Sequence, residues 1–420
     1  MITNVAALSK RPLKVLFIHQ NFPGQFKRIA QVLANDPNYD VLAIGKEGCP
    51  ALKDVRLLTY KLHRSPSPMT HHYARSYESG ILHGQAVLRV LLRLKEQGFV
   101  PDVLVAHPGW GETLFAKEVF PDTKLIHLCE FYYHAQGKDV GFDPEFPTSL
   151  DDAARIRSKN GLMLLNLENC DVAVAPTIWQ KSVHPVAYQD KIHVVHEGID
   201  TTFMCPDPTA TFMLPSGKVL RVGDPVVTYV SRNLEPYRGF HIFMRSLPAI
   251  LAAHPDCDIV LAGGDSVSYG QKPKGASSWR EKLLAEMPTL DPSRIHFLGK
   301  IPFEHYRRLL QVSAAHVYLS YPFVLSWSML EAMACGCIVI GSRTAPVLEV
   351  IKDNENGKLV DFFDVAGIAH AVADVLKQRA GLDAIRRCAR QTMIDRYAFE
   401  KGVDGYRRMI EANRGAAGKL

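Results

Sequence analysis

Short runs of branched and apolar residues alternate with amphipathic stretches along almost the whole chain, and that alternation limits the fold more than any other feature. Val15, Leu16, Phe17 and Ile18 run into His19, the run is closed by Asn21, Pro23 and Gly24, and a helical stretch over 25–34 follows with Phe26, Ile29, Ala30 and Leu33 on one face. The same strand–loop–helix unit recurs at 40–44, 103–106, 124–129 and 172–175, with a long helix expected over 73–98. Strands that are apolar throughout are covered on both faces, which means a parallel sheet with helices on each side.

Between Gly198 and Asp224 the pattern lapses, and Pro206, Pro208 and Pro215 mark that stretch as a connector. A second series then begins, with strands expected at 225–230, 258–262, 295–298, 316–319 and 338–340. Helices are expected between them at 239–253, 280–287, 303–312 and 329–334, and again from about residue 365 onward. The chain therefore reads as α/β, with two Rossmann-like doubly wound domains over 1–205 and 206–395. Ligands of open α/β sheets bind beyond the carboxyl ends of the strands, so two such domains are expected to present a cleft lined by both sets of loops.

Composition narrows the chemistry less. The 49 basic and 43 acidic side chains leave a formal charge of +6, too dilute an excess to mark a nucleic-acid surface. Residues 1–11 lack the apolar core of a signal peptide. No apolar run reaches the roughly 18–20 residues that span a bilayer, which leaves peripheral membrane contact as the one membrane option. Eight cysteines occur mostly singly, and Cys335 and Cys337 flank Gly336 without C-x-x-C spacing, as buried thiols in a reduced, cytoplasmic compartment do. A Gly/Ala stretch at 415–418 reads as a frayed end.

Two segments carry charge-handling residues. In 230–239 a strand delivers Arg232 to its C-terminal end, and Arg238 follows six residues later at the start of a helix. Guanidinium forks suit the oxygens of a diphosphate, although two solvated loop arginines would show the same spacing. In 320–336 a strand leads through a loop to a helix whose first amides, around Ser326, Trp327 and Ser328, would meet an anion. Glu331, placed in the first turn, either accepts hydrogen bonds from ribose hydroxyls or closes a capping box with Ser328.

Other features point away from chemistry. Asp256-Cys257-Asp258 has metal-type spacing but precedes a strand, where a turn or capping role is expected. His71, His72, His127 and His134 form no convincing ligand set, so no metal is expected. No G-x-G-x-x-G follows the first strand, which argues against a nicotinamide enzyme. The 73–98 helix carries Arg89, Arg93 and Lys95 beside many leucines, as does a core helix with a wet face or one that lies on an anionic membrane.

Taken in order, Arg232-x5-Arg238-Gly239, Gly263-Gly264-Asp265, Phe297-Leu298-Gly299-Lys300-Ile301, Leu330-Glu331-Ala332-Met333-Ala334-Cys335-Gly336, Glu349-Val350-Ile351 and Asn356-Gly357-Lys358-Leu359-Val360 resemble family 4 of the retaining, GT-B-fold glycosyltransferases. His19-Gln20-Asn21-Phe22-Pro23-Gly24-Gln25-Phe26 and His107-Pro108-Gly109-Trp110-Gly111-Glu112 resemble one bacterial branch of it. The resemblance implies a transferase that moves a sugar from a nucleoside-diphosphate sugar to a hydroxyl acceptor on a glycan, lipid carrier or protein, in surface polysaccharide or glycoconjugate synthesis. It implies no metal and no further cofactor, a cytoplasmic place at or near the inner membrane face, and a last helix over 396–420 that crosses back to the first domain. Arg232 and Arg238 would grip the donor diphosphate, the second with Arg where the family has Lys. Gly24 would approach the phosphate, Lys300 the base, Ser326, Trp327 and Ser328 the β-phosphate, and Glu331 the ribose.

Two departures stand out. Phe323 occupies the place of the first glutamate of the family's E-x7-E pair, the one that holds donor-sugar hydroxyls, so sugar recognition differs here. Glu130 stands where the family often has a histidine after the 124–129 strand. Glu130 and His107 are both expected near the reacting sugar, and His107 could equally anchor its own loop. A nucleotide-sugar epimerase and a non-catalytic nucleotide-sugar-binding protein are the alternatives; the first would act without acceptor, the second would bind donor without turnover.

Overall fold

The computed structural model describes residues 11–412, so the first ten residues and the 415–418 stretch lie outside the described residues. The chain forms two compact units. The first holds the described chain up to Ala135, Thr148–Glu197 and the chain from Glu400; the second holds Gln136–Pro147 and Gly198–Phe399. The chain thus changes unit after Glu197 rather than near 205, and the 136–147 segment, read above as part of the N-terminal domain, packs with the second unit.

The first unit is built on β1 (Leu13–Ile18), β2 (Tyr39–Lys46), β3 (Arg56–Tyr60), β4 (Val103–Ala106), β5 (Lys124–Leu128), β6 (Val172–Ala175) and β7 (Ile192–Val194). They lie in the order β3-β2-β1-β4-β5-β6-β7, every pairing parallel. The order reverses between β1 and β4, and the crevice at that reversal is where a doubly wound sheet holds ligands. Leu16, Ile18, Leu42, Ile44, Leu104 and Leu125 pack in one core with Val87, Leu91 and Leu94 of the Arg75–Glu96 helix. Each such side chain contributes about 1.5–3 kcal/mol on full burial. That helix is a core helix with a wet face: Arg89, Leu92, Arg93 and Lys95 are exposed. The Phe399–Glu411 helix belongs mostly to this unit, with Tyr406 edge-on to Phe26 and Lys124 Nζ donating to the Met409 carbonyl at 2.6 Å.

The second unit opens with a hairpin of β8 (Thr211–Met213) and β9 (Val219–Arg221), paired antiparallel. It corrects the reading of 198–224 as a plain connector, since Phe212, Leu214 and Leu220 are buried against Val226, Val260 and Leu309. The sheet follows, with β10 (Val226–Asn233), β11 (Asp258–Gly264), β12 (Ile295–Phe297), β13 (Ala315–Tyr318), β14 (Ile338–Ser342) and β15 (Lys358–Val360). Its order is β12-β11-β10-β13-β14-β15, again all parallel, and it reverses between β10 and β13. The two sheets therefore share one winding and one kind of crevice.

Candidate active site

In the second unit the reversal point is a polar pocket lined by Val230, Ser231, Arg232, Asn233, Glu235, Arg238, Ser268, Tyr269, Ser326 and Ser328. The pairing of β10 with β11 slips between Val230 and Asn233, and an irregularity of this kind re-aims a strand-end side chain. Arg232 is exposed and makes no hydrogen bond or ion pair among the described residues. Arg238 sits in the 3-10 turn Pro236–Arg238 that precedes the Phe240–Ala253 helix, and its Nη1 donates to Ser320 Oγ at 2.7 Å, the Val324 carbonyl at 2.9 Å and Tyr318 Oη at 3.2 Å. Burial works against its charge, but the surrounding Tyr318, Tyr269, Tyr229 and Glu235 hold its pKa above the usual value. Gly239 then turns at φ 70, and a Cβ there would lie 2.3 Å from Leu319 Cβ, so no other residue fits.

The opposite wall is the start of the Trp327–Ala334 helix. Its N-cap is Ser326, whose hydroxyl accepts from the Ser328 amide, while the Ser326 amide donates to Tyr318 Oη at 2.9 Å. With the helix starting at Trp327, two residues before the expected 329, Glu331 falls in its second turn and closes no capping box with Ser328; it accepts instead from Tyr306 Oη at 2.8 Å. Burial pushes its carboxyl above the ordinary range. Trp327 and Lys300 do not line the pocket, although Lys300 lies beside it: a Cβ on Gly264 would meet Asn233 Oδ1 at 2.6 Å and Lys300 Cε at 2.8 Å.

Sequence reasoning missed Glu235. Its carboxylate, 1% exposed, accepts from the amides of Ser268 at 2.9 Å and Gly270 at 2.9 Å and reaches that of Tyr269 at 3.2 Å. It thereby fixes the loop that carries Tyr269, whose ring stacks 5.8 Å from the Arg238 guanidinium. A glutamate before Pro236 was the one available hint. Phe323 is buried at 3% exposure, edge-on to Tyr269 at 5.0 Å and Tyr237 at 5.6 Å, so an apolar wedge supports the pocket wall at this position.

In the first unit the reversal point holds a different set. His19 directly follows β1, His107 directly follows β4, and Glu130 follows β5. The Asn21 amide donates to His19 Nδ1 at 2.9 Å, which places the proton on Nε2, 2.9 Å from Gln25 Oε1. Gln25 Nε2 then donates to Glu130 Oε1 at 2.8 Å. The Gly109 amide likewise donates to His107 Nδ1 at 3.1 Å, so Nε2–H points toward Glu130 Oε2 at 3.5 Å, while the ring stacks on Trp110. His107 thus anchors its loop and also faces the carboxylate. Burial would raise the Glu130 pKa, but the donors from His107 and Gln25 overcome it and hold the carboxyl below its usual range. Burial lowers His19 to about 4, leaving it neutral. Gly24 has φ 47 and lies against the His19 ring, where a Cβ would approach within 2.5 Å.

The remaining candidates are accounted for locally. Asp258 is buried and paired with Lys218 Nζ at 2.7 Å and His296 Nε2 at 2.9 Å, an ion-pair role rather than the expected turn or cap. His127 and His134 bond to the carbonyls of Asn166 and Val183, and His71 stacks on His72.

Residues 37–204 match the family model described as glycosyl transferase family 4 group, and residues 216–392 match glycosyl transferases group 1. A D-inositol 3-phosphate glycosyltransferase of Acidothermus cellulolyticus is 26% identical over 55% of this chain, a match that spans about half, 51%, of that relative. A glycogen synthase of Mycobacterium tuberculosis is 24% identical over 76% of this chain and 71% of its own length. Anabaena Alr3699/HepE, solved in complex with UDP-glucose, superposes with a TM-score of 0.68 at 15% identity, covering 95% of this chain and all, 100%, of that one. The sucrose-phosphate synthase of Thermosynechococcus elongatus gives 0.67 at 16% identity, covering 96% and 100%. With two glycosyltransferase domains in sequence and two doubly wound parallel sheets in structure, the chain belongs to the GT-B-fold glycosyltransferases.

Proposed function

We propose that the protein transfers a sugar, with retention of anomeric configuration, from a nucleoside-diphosphate sugar to a hydroxyl acceptor in surface polysaccharide or glycoconjugate synthesis. The observation that carries this reading is the second unit's pocket, where Arg232, Arg238, Ser326 and Ser328 line one space. As the bond from the sugar's anomeric carbon breaks, its electron pair goes to the diphosphate oxygen, and charge grows on the β-phosphate. Preorganised donors aimed at that growing charge lower the barrier. Arg238 is already held by three acceptors and loses little freedom on binding, while Arg232 is free to close on the phosphate. The acceptor oxygen attacks the same face of the sugar, and its proton leaves with the diphosphate.

Lys300, Trp327 and Glu331 complete the nucleotide's surroundings in this reading, with Glu331 turned to the ribose hydroxyls. Uridine is the first base to test, because Alr3699/HepE was solved with UDP-glucose. The ionised Glu130, backed by Gln25 and His107, is suited to the electron-poor sugar or to its hydroxyls, and Gly24 keeps that loop clear of a side chain. The two guanidinium groups fill the charge-balancing role that a metal fills in other transferases. Among the described residues no helix is long and apolar enough to cross a membrane; the exposed Arg89, Leu92 and Arg93 would serve for peripheral contact with a membrane-borne acceptor.

Arg232→Ala tests the reading cleanly, because this side chain supports nothing else. Transfer from the best UDP-sugar is expected to fall by about a hundredfold or more, with an unchanged melting temperature. Turnover near wild type would overturn it.

A further inference from the structure

The 136–147 segment leaves the first unit after β5 and the chain returns to it before the Leu150–Asn169 helix, yet the segment clusters with the second unit. Its attachment is specific. Phe142 packs among Tyr321, Phe362 and Phe363, with ring centroids 5.1–5.2 Å apart. Phe146 stands edge-on to Trp279 at 5.4 Å and to His241 at 5.7 Å. Arg245 forks onto Glu145 at 2.6 and 3.1 Å. At the centre is Asp143, 3% exposed: its Oδ2 accepts from Tyr321 Oη at 2.6 Å and from His241 Nε2 at 2.8 Å, and its Oδ1 accepts from the Glu145 amide at 2.9 Å.

Asp143, Glu145 and His241 offer three ligand-type atoms within 4.8 Å of one another, a spacing that would also suit a cation. Their partners decide against it. Both Glu145 oxygens are engaged by Arg245, and the inward oxygen of Asp143 already has two donors. The cluster is held by the Arg245–Glu145 ion pair and by the hydrogen bonds on Asp143, while His241 Nδ1 is buried without a hydrogen-bond partner.

What the cluster touches is informative. Tyr321 lies in the loop between β13 and the Trp327–Ala334 helix, and its amide donates to the Tyr237 carbonyl at 3.1 Å. Tyr237 precedes Arg238, which in turn is held by Tyr318 at the end of β13 and by Ser320 and Val324 of the same loop. His241 begins the helix that follows Arg238 and Gly239. Asp143 therefore grips the chain on both sides of Arg238: Tyr321 across the loop and His241 three residues downstream. A carboxylate with two buried donors on one oxygen fixes them far better than an exposed pair, because water does not compete.

We propose that Asp143 is a positioning residue for the diphosphate subsite: the 136–147 strap holds the Tyr237–Arg238 turn against the 318–324 loop and so sets where the Arg238 guanidinium points. This rests on the donor reading given above. The strap is the part of the donor pocket's support that comes from within the first unit's stretch of sequence, and no motif in that stretch announces it.

The test uses the full chain with Asp143→Asn, Tyr321→Phe and, as control, Glu145→Gln. Tyr321→Phe removes one hydroxyl and keeps the ring, so it remains informative if the Asp143 variant folds poorly. Amide hydrogen exchange without ligand is expected to quicken in both 236–239 and 318–324 for the first two variants and to stay as in wild type for the control. Calorimetric titration is expected to show UDP binding about tenfold weaker in those two variants, with uridine affinity unchanged, because a misdirected Arg238 loses the phosphate and leaves the nucleoside contacts intact. Unchanged exchange in both loops would overturn the strap's role whether or not UDP binds. An equal fall for uridine and UDP would also overturn it, as the mark of general loosening. A wild-type protein that binds no nucleoside diphosphate would instead sink the donor reading and leave the exchange result to decide the strap.

Discussion

The two strand-order reversals share a topology and differ in electrostatics. At the first, two imidazoles and an amide surround one carboxylate, each polar atom directed at another side chain or backbone group of the protein. At the second, a guanidinium held by three acceptors stands beside another that makes no hydrogen bond or ion pair among the described residues. The fold supplies the crevice in both cases, and the side chains around it decide that one site gathers about a carboxylate while the other is cationic and open.

The sharpest test of the contrast is acid. In the first unit burial holds His19, His83 and His184 at about 4 and His127 at about 3; in the second it holds His316 at about 3. An imidazole whose folded pKa lies below its unfolded value of about 6.5 contributes stability above pH 6.5 and loses it as pH falls toward the folded value. Four such groups, each worth on the order of 1–3 kcal/mol, approach the whole stability of a domain, and one does not. Between pH 6.5 and 4, hydrogen exchange is expected to quicken throughout the first unit's sheet before the second's. Simultaneous opening, or the reverse order, would break the contrast.

Next in size is Arg238→Ala. Three acceptors lose their donor, so a fall of about 2–4 °C in melting temperature is expected beside a loss of about a thousandfold in transfer. Glu130→Gln keeps the hydrogen-bond geometry and removes the charge; its turnover should fall less, by about tenfold to a hundredfold. A larger loss at Glu130 than at Arg238 would move the main catalytic lever to the first unit.

That Arg232, Arg238, Ser326 and Ser328 share a pocket could be expected from sequence, because a doubly wound sheet puts the ends of adjacent strands together and the strands announced themselves as apolar runs. What stayed hidden has physical reasons. β3 is a half-exposed edge strand and β8 and β9 are three residues each, too short for any periodicity. Glu331 lies in the second turn because the helix starts at Trp327, two residues before the apolar residues that suggested it. Glu235 and Asp143 bind backbone amides and side chains brought together by folding, and a lone acidic residue in a loop carries no trace of its future partners.

A third measurement separates burial from site chemistry within the first unit. Glu112 is 1% exposed; Tyr60 Oη donates to its Oε1 at 2.8 Å, and His83 Nδ1 donates to Tyr60 Oη at 2.7 Å. Burial raises its carboxyl to about 7, the opposite of the Glu130 shift. A carboxyl whose folded pKa is raised contributes stability that is complete below its unfolded value and is lost as pH climbs through the folded one. Relative to Glu112→Gln, wild type should therefore lose about 2–3 kcal/mol between pH 5 and pH 8. Parallel denaturation profiles for the two proteins over that range would show that Glu112 ionises freely.

The smallest effect concerns the second unit's own carboxyl. Glu331 has one oxygen on Tyr306, and ribose recognition requires its carboxyl to meet the 2′ and 3′ hydroxyls. Wild type should then prefer UDP to its 2′-deoxy analogue by about tenfold, roughly 1.4 kcal/mol. Glu331→Ala should weaken UDP more than the deoxy analogue, which loses only its 3′ contact, and so collapse the preference. Tyr306→Phe frees the carboxyl from its one observed donor and should shift the preference far less, since the hydroxyls can still reach it. Equal weakening of both nucleotides by Glu331→Ala would mean that the residue serves the helix packing against Tyr306, and that the open pocket reads phosphate alone.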